Sequence, residues 1–379
     1  MSLPAAHDKP LFTPGPLTTS ATIKQAMLRD LGSRDVEFIA IVRAIRSSLL
    51  EIAGVSTMDG YEAILMQGSG TFGIESVLSS TIPRDGKLLV IANGAYGERI
   101  AKMAAVLQIP HTVLRCAEDT VPAPDEVRDQ LGNDPQITDV AVVHCETTTG
   151  IINPVTEIGF IAGGMGKRVI VDSMSGFGAI PLDLRAASVD YLISSANKCL
   201  EGVPGFSFVV CRRTSLEASD GNARSLSLDL LAQWRGLETN GQFRFTPPTH
   251  AILAFHQALV ELAQEGGIAA RAQRYQQNYR CLVDGMAKLG FEEYLPRDLQ
   301  GYIITSFRYP EHPQFDFEQF YSLLNERGFV IYPGKVSNAD CFRIGNIGRL
   351  FPSDVRALLG AIADSIAEMG VTLPVTSAR

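Results

Sequence analysis

At 379 residues, 46% of them hydrophobic and 20% charged, the chain has enough apolar material for two packed domains, which excludes a disordered or low-complexity polypeptide. A formal net charge of −8 gives no general attraction to phosphate backbones or anionic lipid, so neither nucleic acid nor a membrane is expected as a partner. Apolar stretches such as Leu88–Ala92 are far too short for a bilayer, the N-terminus has no basic-then-apolar leader, and six scattered cysteines form neither a metal-spaced pair nor a disulfide framework; a cytoplasmic protein without a bound metal is expected.

In chain order, the Pro/Gly-rich stretch Thr13-Pro14-Gly15-Pro16 comes first. From Asp35, Phe38, Val42, Ile45, Leu49 and Ile52 recur at helical spacing, which predicts an amphipathic helix ending near Gly54. The apolar run Ala63–Met66 leads through Gln67-Gly68-Ser69-Gly70-Thr71 into a helical pattern over Phe72–Ser80. Strands are expected at Lys87–Ala92, Asp139–His144, Arg168–Val171, Tyr191–Ser194 and Phe206–Cys211. Short apolar strands alternating with helices predict an α/β fold with a mostly parallel central sheet flanked by helices. Long helices follow at Ala251–Glu265 and Ile268–Leu289. Beyond them, strands at Gly301–Arg308 and Gly328–Tyr332 and helices at Asp316–Arg327 and Pro352–Met369 predict a smaller α+β domain. The expected division is a large domain over 16–260 and a small one from 1–15 with 261–379.

Several strands end in polar residues, and in open α/β sheets ligands bind beyond the carboxyl ends of strands. Ser69-Gly70-Thr71 stands where a helix begins; it is either a plain connection or an anion cradle built from backbone amides and the helix N-terminus. Asp172 closes the run Val169-Ile170-Val171 and either caps a turn or pairs with a cofactor's pyridine nitrogen. Lys198, after Ser194-Ser195-Ala196-Asn197, is either a solvated surface charge or an amine able to form a Schiff base. Enough chain separates Asp172 from Lys198 for one helical crossover between adjacent parallel strands, which allows both to reach one pocket. Arg343, in Cys341-Phe342-Arg343-Ile344-Gly345-Asn346, is a surface charge or a fork for an acidic group.

These motifs together, with Asn93-Gly94-Ala95-Tyr96-Gly97 and Glu146-Thr147-Thr148-Thr149-Gly150, resemble class V aminotransferases over nearly the whole chain. Thr13–Ser20, Ser194–Pro204, Ser225–Trp234 and Phe329–Val336 are most similar to the members that move an amino group from 2-aminoethylphosphonate to pyruvate. The resemblance implies the fold type I architecture of transferases dependent on pyridoxal 5′-phosphate (PLP). It also implies that Lys198 holds PLP covalently and that Asp172 pairs with the ring nitrogen. Ser69, Gly70, Thr71 and Asn197 would bind the phosphate together with Thr246 from a second subunit. Tyr96 would stack on the ring, Thr147 would hydrogen-bond its phenolic oxygen, and Arg343 would take the acidic end of both substrates. A homodimer with sites at the subunit interface follows from the same resemblance.

One position departs from the family: where tryptophan usually precedes the aspartate, the chain reads Gly32-Ser33-Arg34-Asp35, so Arg34 is either a cation near the site entrance or a surface change. Competing readings are an alanine:glyoxylate or serine:pyruvate aminotransferase, which would keep every cofactor residue, and a cysteine desulfurase, which needs an accessible reactive thiol. Cys341, two residues before Arg343, is the cysteine placed suspiciously for that role, against the alternative of a buried strand cysteine. His144 and His250 have no partner at ligand spacing and read as structural.

Overall fold

The computed structural model describes residues 8–336 and 339–375. Its largest sheet grows from short runs rich in Val, Ile and Leu: β1 (Tyr61–Gln67), β2 (Lys87–Ala92), β3 (His111–Arg115), β4 (Ile137–Val143), β7 (Arg168–Asp172), β8 (Val189–Ser195) and β9 (Phe206–Arg212). A two-stranded hairpin, β5 (Cys145–Glu146) with β6 (Ile151–Ile152), follows β4. The seven strands lie in the order β1-β9-β8-β7-β4-β2-β3. Those from β3 across to β8 are parallel, as the sequence predicts, while β9 runs antiparallel to both β8 and β1.

Connection chemistry explains the exceptions. Parallel neighbours need a crossover, and residues 196–205 between β8 and β9 contain no helix, so the chain turns back antiparallel. The link from β7 to β8, residues 173–188, consists of turns; the expected helical crossover is absent, although β7 and β8 are parallel neighbours. The strand β3 escapes sequence reading because it is an edge strand whose residues are mostly half-buried, so it has no long apolar run.

Both faces of the sheet are covered. Phe38, Val42, Ile45 and Leu49 of the helix Val36–Ile52 share one apolar cluster with Val77 and Leu78 of the helix Gly70–Thr81 and Ile252, Phe255 and Leu259 of the helix Thr249–Glu265. Each such fully buried side chain contributes about 1.5–3 kcal/mol.

The chain divides into two compact units. The first is residues 19–147 with 151–272; the second is residues 148–150 with the described residues before 19 and after 272. This division falls between Ala272 and Gln273, inside the continuous helix Gly267–Lys288, rather than at the expected 260/261. The second unit has an antiparallel sheet ordered β10-β12-β11, from β10 (Ile304–Arg308), β11 (Tyr332–Val336) and β12 (Ala339–Gly345), with helices Phe317–Glu326 and Pro352–Glu368. The strand expected at Gly328–Tyr332 lies further along. Gly328 (φ 88°) ends the preceding helix, and Val330 makes a single parallel bridge with Leu11 instead of a ladder.

Candidate active site

Where β1 ends, the chain turns through Gly68 at φ 101°, a left-handed conformation in which a Cβ would also strike the Phe72 ring at 2.7 Å. Ser69 then caps the helix Gly70–Thr81 with extended backbone but no side-chain hydrogen bond to it. The first amides of a helix lack intrahelical acceptors and carry its positive end, so Ser69, Gly70 and Thr71 present N–H and O–H donors suited to an anion. These three residues line a cavity of about 190 Å³ together with Tyr96, Thr147, Asp172, Asn197 and Lys198. The structure thus brings eight of the ten sequence-predicted site residues to one cavity.

Asp172 is the last residue of β7 and Lys198 follows the end of β8, so two adjacent parallel strands deliver them to the same end of the sheet. The Asp172 side chain accepts from the Met174 amide at 3.0 Å and is 3% exposed. Burial pushes its pKa up to about 6, against the smaller opposing effects of that hydrogen bond and of the Lys198 and Arg99 charges. Such a carboxylate has lost its water and gained little in exchange; a cationic N–H donor is the partner that compensates it best.

Tyr96 sits in the first turn of the helix Ala95–Val106, whose start is fixed by Glu146. The fully buried Glu146 accepts from the amides of Tyr96 at 3.2 Å and Gly97 at 3.4 Å. Gly94 permits this close approach, since a Cβ there would stand 2.4 Å from the Glu146 carboxyl carbon. One turn after Tyr96, the Arg99 guanidinium lies 4.8 Å from the centre of its ring, and Arg99 also lines the cavity. Sequence reasoning gave roles to neither Glu146 nor Arg99. Arg99 was discoverable from its i, i+3 spacing to Tyr96; Glu146 had no local signal, because its partners lie fifty residues upstream.

Two predicted residues stand elsewhere. Thr246 is exposed and lines a separate depression of about 320 Å³ with Ser33, Arg34 and Arg244. Arg34 is therefore exposed at the surface beside Thr246 and does not line the Lys198 cavity. Arg343 belongs to the second unit, on β12, with its guanidinium 4.8 Å from the centre of the Tyr332 ring and its Nη2 donating to the Pro333 carbonyl at 3.2 Å.

His144 is buried, with Nδ1 2.9 Å from the Ser173 hydroxyl, and burial lowers its pKa to about 4, so it is neutral at physiological pH. Burial raises the thiol of Cys341 to about 11 and that of Cys199 to about 12, which disfavours the thiolate a desulfurase needs. Among the described residues no group of three or more His, Cys, Asp or Glu could hold a metal ion, and no helix is long and apolar enough to cross a membrane.

The aminotransferase class-V profile matches residues 19–349. The chain belongs to the class V aminotransferase family. A 2-aminoethylphosphonate--pyruvate transaminase of Vibrio vulnificus is 54% identical to this class V enzyme over 93% of the chain and 96% of the relative. One of that name from Salmonella heidelberg is also 54% identical, over the same shares of both chains. Among solved structures, a pyridoxamine-pyruvate aminotransferase from Mesorhizobium loti superposes with a TM-score of 0.88 at 23% identity, covering 98% of this chain and 96% of that one. An alanine--glyoxylate aminotransferase from Nostoc sp. gives 0.88 at 24%, covering 97% and 98%. At those identities the two structures establish the fold of this class V enzyme, fold type I, and nothing finer.

Proposed function

We propose that the chain transfers the amino group of 2-aminoethylphosphonate to pyruvate, giving phosphonoacetaldehyde and L-alanine, with PLP as cofactor. The observation that carries this reading is the 54% identity, over 93% of the chain, to proteins named for that reaction. The cavity residues fit PLP by their chemistry. Asp172, buried and poorly compensated, suits the pyridinium nitrogen; the Ser69–Thr71 donors suit the phosphate; Thr147 suits the phenolic oxygen; and the Lys198 amine suits the aldehyde.

When bound, PLP supplies an electron sink for the charge left on the substrate carbon as its proton departs. Lys198 Nζ would carry that proton from the amino-bearing carbon to the cofactor and, on the pyruvate half of the cycle, carry one in the opposite direction. Asp172 would keep the ring nitrogen charged, Tyr96 would stack on the ring, and Asn197 would assist at the phosphate. Arg343 takes the acidic end of each substrate in turn, since phosphonate and carboxylate both present paired anionic oxygens to a guanidinium fork. Thr246 of the partner subunit completes the phosphate site in a homodimer. Residues 16–260 form the large PLP-binding domain, and residues 1–15 with 261–379 the small one. None of the six cysteines is in a disulfide, which suits a reducing, cytoplasmic location.

A donor panel tests the assignment. With pyruvate as acceptor, kcat/KM for 2-aminoethylphosphonate should exceed that for serine and other amino donors by at least about a hundredfold, specificity being that ratio; alanine, the product of the pyruvate half, is compared with glyoxylate as acceptor instead. A preference for serine, or for alanine with glyoxylate, would replace this substrate reading and leave the cofactor residues in place.

A further inference from the structure

The backbone carrying Lys198 is pinned by a buried side chain that the chemistry above does not use. Between β8 and β9, Gly202 N donates to the Ala196 carbonyl at 2.9 Å and Glu201 N donates to the Lys198 carbonyl at 2.7 Å. Closing so tight a loop puts Glu201 at φ 60°, a left-handed conformation unfavourable for any residue with a Cβ, and Glu201 is only 2% exposed. The carbonyl of Cys199, the residue after Lys198, has its donor elsewhere in the fold. Arg271, from the first turns of the helix Gly267–Lys288 and fully buried, donates Nη1–H to it at 2.7 Å. The same guanidinium donates Nε–H to Glu265 Oε2 at 2.7 Å and lies 3.5 Å from Glu201 Oε1.

A fully buried arginine between two carboxylates is a poor way to gain stability. Desolvating three charges offsets most of their attraction, and apolar residues of similar volume often do as well. What the arrangement supplies is geometry. The planar fork reaches the Glu265 carboxylate through Nε and the Cys199 carbonyl through Nη1, while Glu201 stands beside it, so a loop with a left-handed non-glycine residue is held in one conformation.

We infer that Arg271 is a positioning residue for the catalytic amine: through the Cys199 carbonyl and Glu201 it fixes the direction in which Lys198 points into the cavity. This rests on the proposed role of Lys198, and the experiment separates the two. Cofactor-free wild type and Arg271→Lys are mixed with PLP, and the growth of the visible band of lysine-bound cofactor is followed by stopped flow, beside far-UV circular dichroism and thermal melting. Lysine keeps the charge and loses the fork. The expected result is a folded variant whose capture rate falls at least about tenfold and whose band titrates at a shifted pH, with kcat lowered and KM for pyruvate unchanged.

A folded Arg271→Lys that captures PLP at the wild-type rate, with an unshifted titration, overturns the inference. No visible band in the wild type would instead overturn the assignment of Lys198. If Arg271→Lys does not fold, Glu265→Gln decides. It leaves the hydrogen bonds of the loop in place and removes a carboxylate that orients the fork, so a smaller change of the same kind is expected, and wild-type behaviour of that folded variant rejects the inference.

Discussion

Around Phe342 in the second unit, the rings of Phe291, Phe307 and Phe320 close in with centroids 5.5 to 5.8 Å away, each fully or almost fully buried and each satisfied by its neighbours. At Asp172 in the first unit, the equally buried carboxylate and the Thr147 hydroxyl share a cavity with the half-buried Lys198 amine, and the Asp172 pKa is raised to about 6. The aromatic cluster gains free energy as it forms, from apolar area and ring packing. The cavity forms at a cost, carried by the sheet whose strand ends define it. Removing a side chain should therefore damage stability in one region and chemistry in the other.

The sharpest break of that contrast is Lys198→Ala. It should abolish transamination and the visible band of bound PLP while leaving the melting temperature of the cofactor-free protein nearly unchanged; retained absorption would remove Lys198 from its role. Asp172→Asn should fold and retain PLP, yet lose about 10²- to 10⁴-fold in kcat, the range that positioned proton-handling groups contribute. Steady-state kinetics measures this, and full activity would refute the charge pairing at the ring nitrogen. In the other region, Phe320→Ala should cost about 3–5 kcal/mol in denaturant unfolding, because it opens a cavity in a packed core. The fraction that remains folded should capture PLP at the wild-type rate.

A smaller effect concerns pH. The folded pKa of Asp172 lies above the ordinary 3.8, so the cofactor-free protein should lose stability as pH rises from about 4 to about 6 and change little from this group above that. Pairing with a cationic ring requires the carboxylate. PLP affinity should then fall as pH drops below about 6, by up to about tenfold per unit, as titrations of band intensity against PLP would show. His144, held neutral down to about 4, does not share in that titration, and Asp172→Asn should flatten it.

Much of this site was legible because its residues end strands. Asp172 and Lys198 announce themselves as lone charges after the apolar runs of β7 and β8, and Ser69–Thr71 as small polar residues before a helix. The parallel part of the sheet was readable for the same reason. The antiparallel turn into β9 depends on the absence of a helix in a connection, and β3 lacks an apolar run. Glu146 and Arg271 were invisible as site residues: one looks like a loop acid and the other like an ordinary helix charge until their partners, the Tyr96 amide and the Cys199 carbonyl, arrive from distant chain. Thr246 and Arg343, placed on a separate depression and in the second unit, rest on resemblance more than on geometry.

The most direct test of the account is to reduce the PLP-loaded enzyme with borohydride, digest it, and find the modified peptide by mass spectrometry. A phosphopyridoxyl group on Lys198, at about one per chain, is the result expected. A label on another lysine, or none on an enzyme that still transaminates, would contradict it.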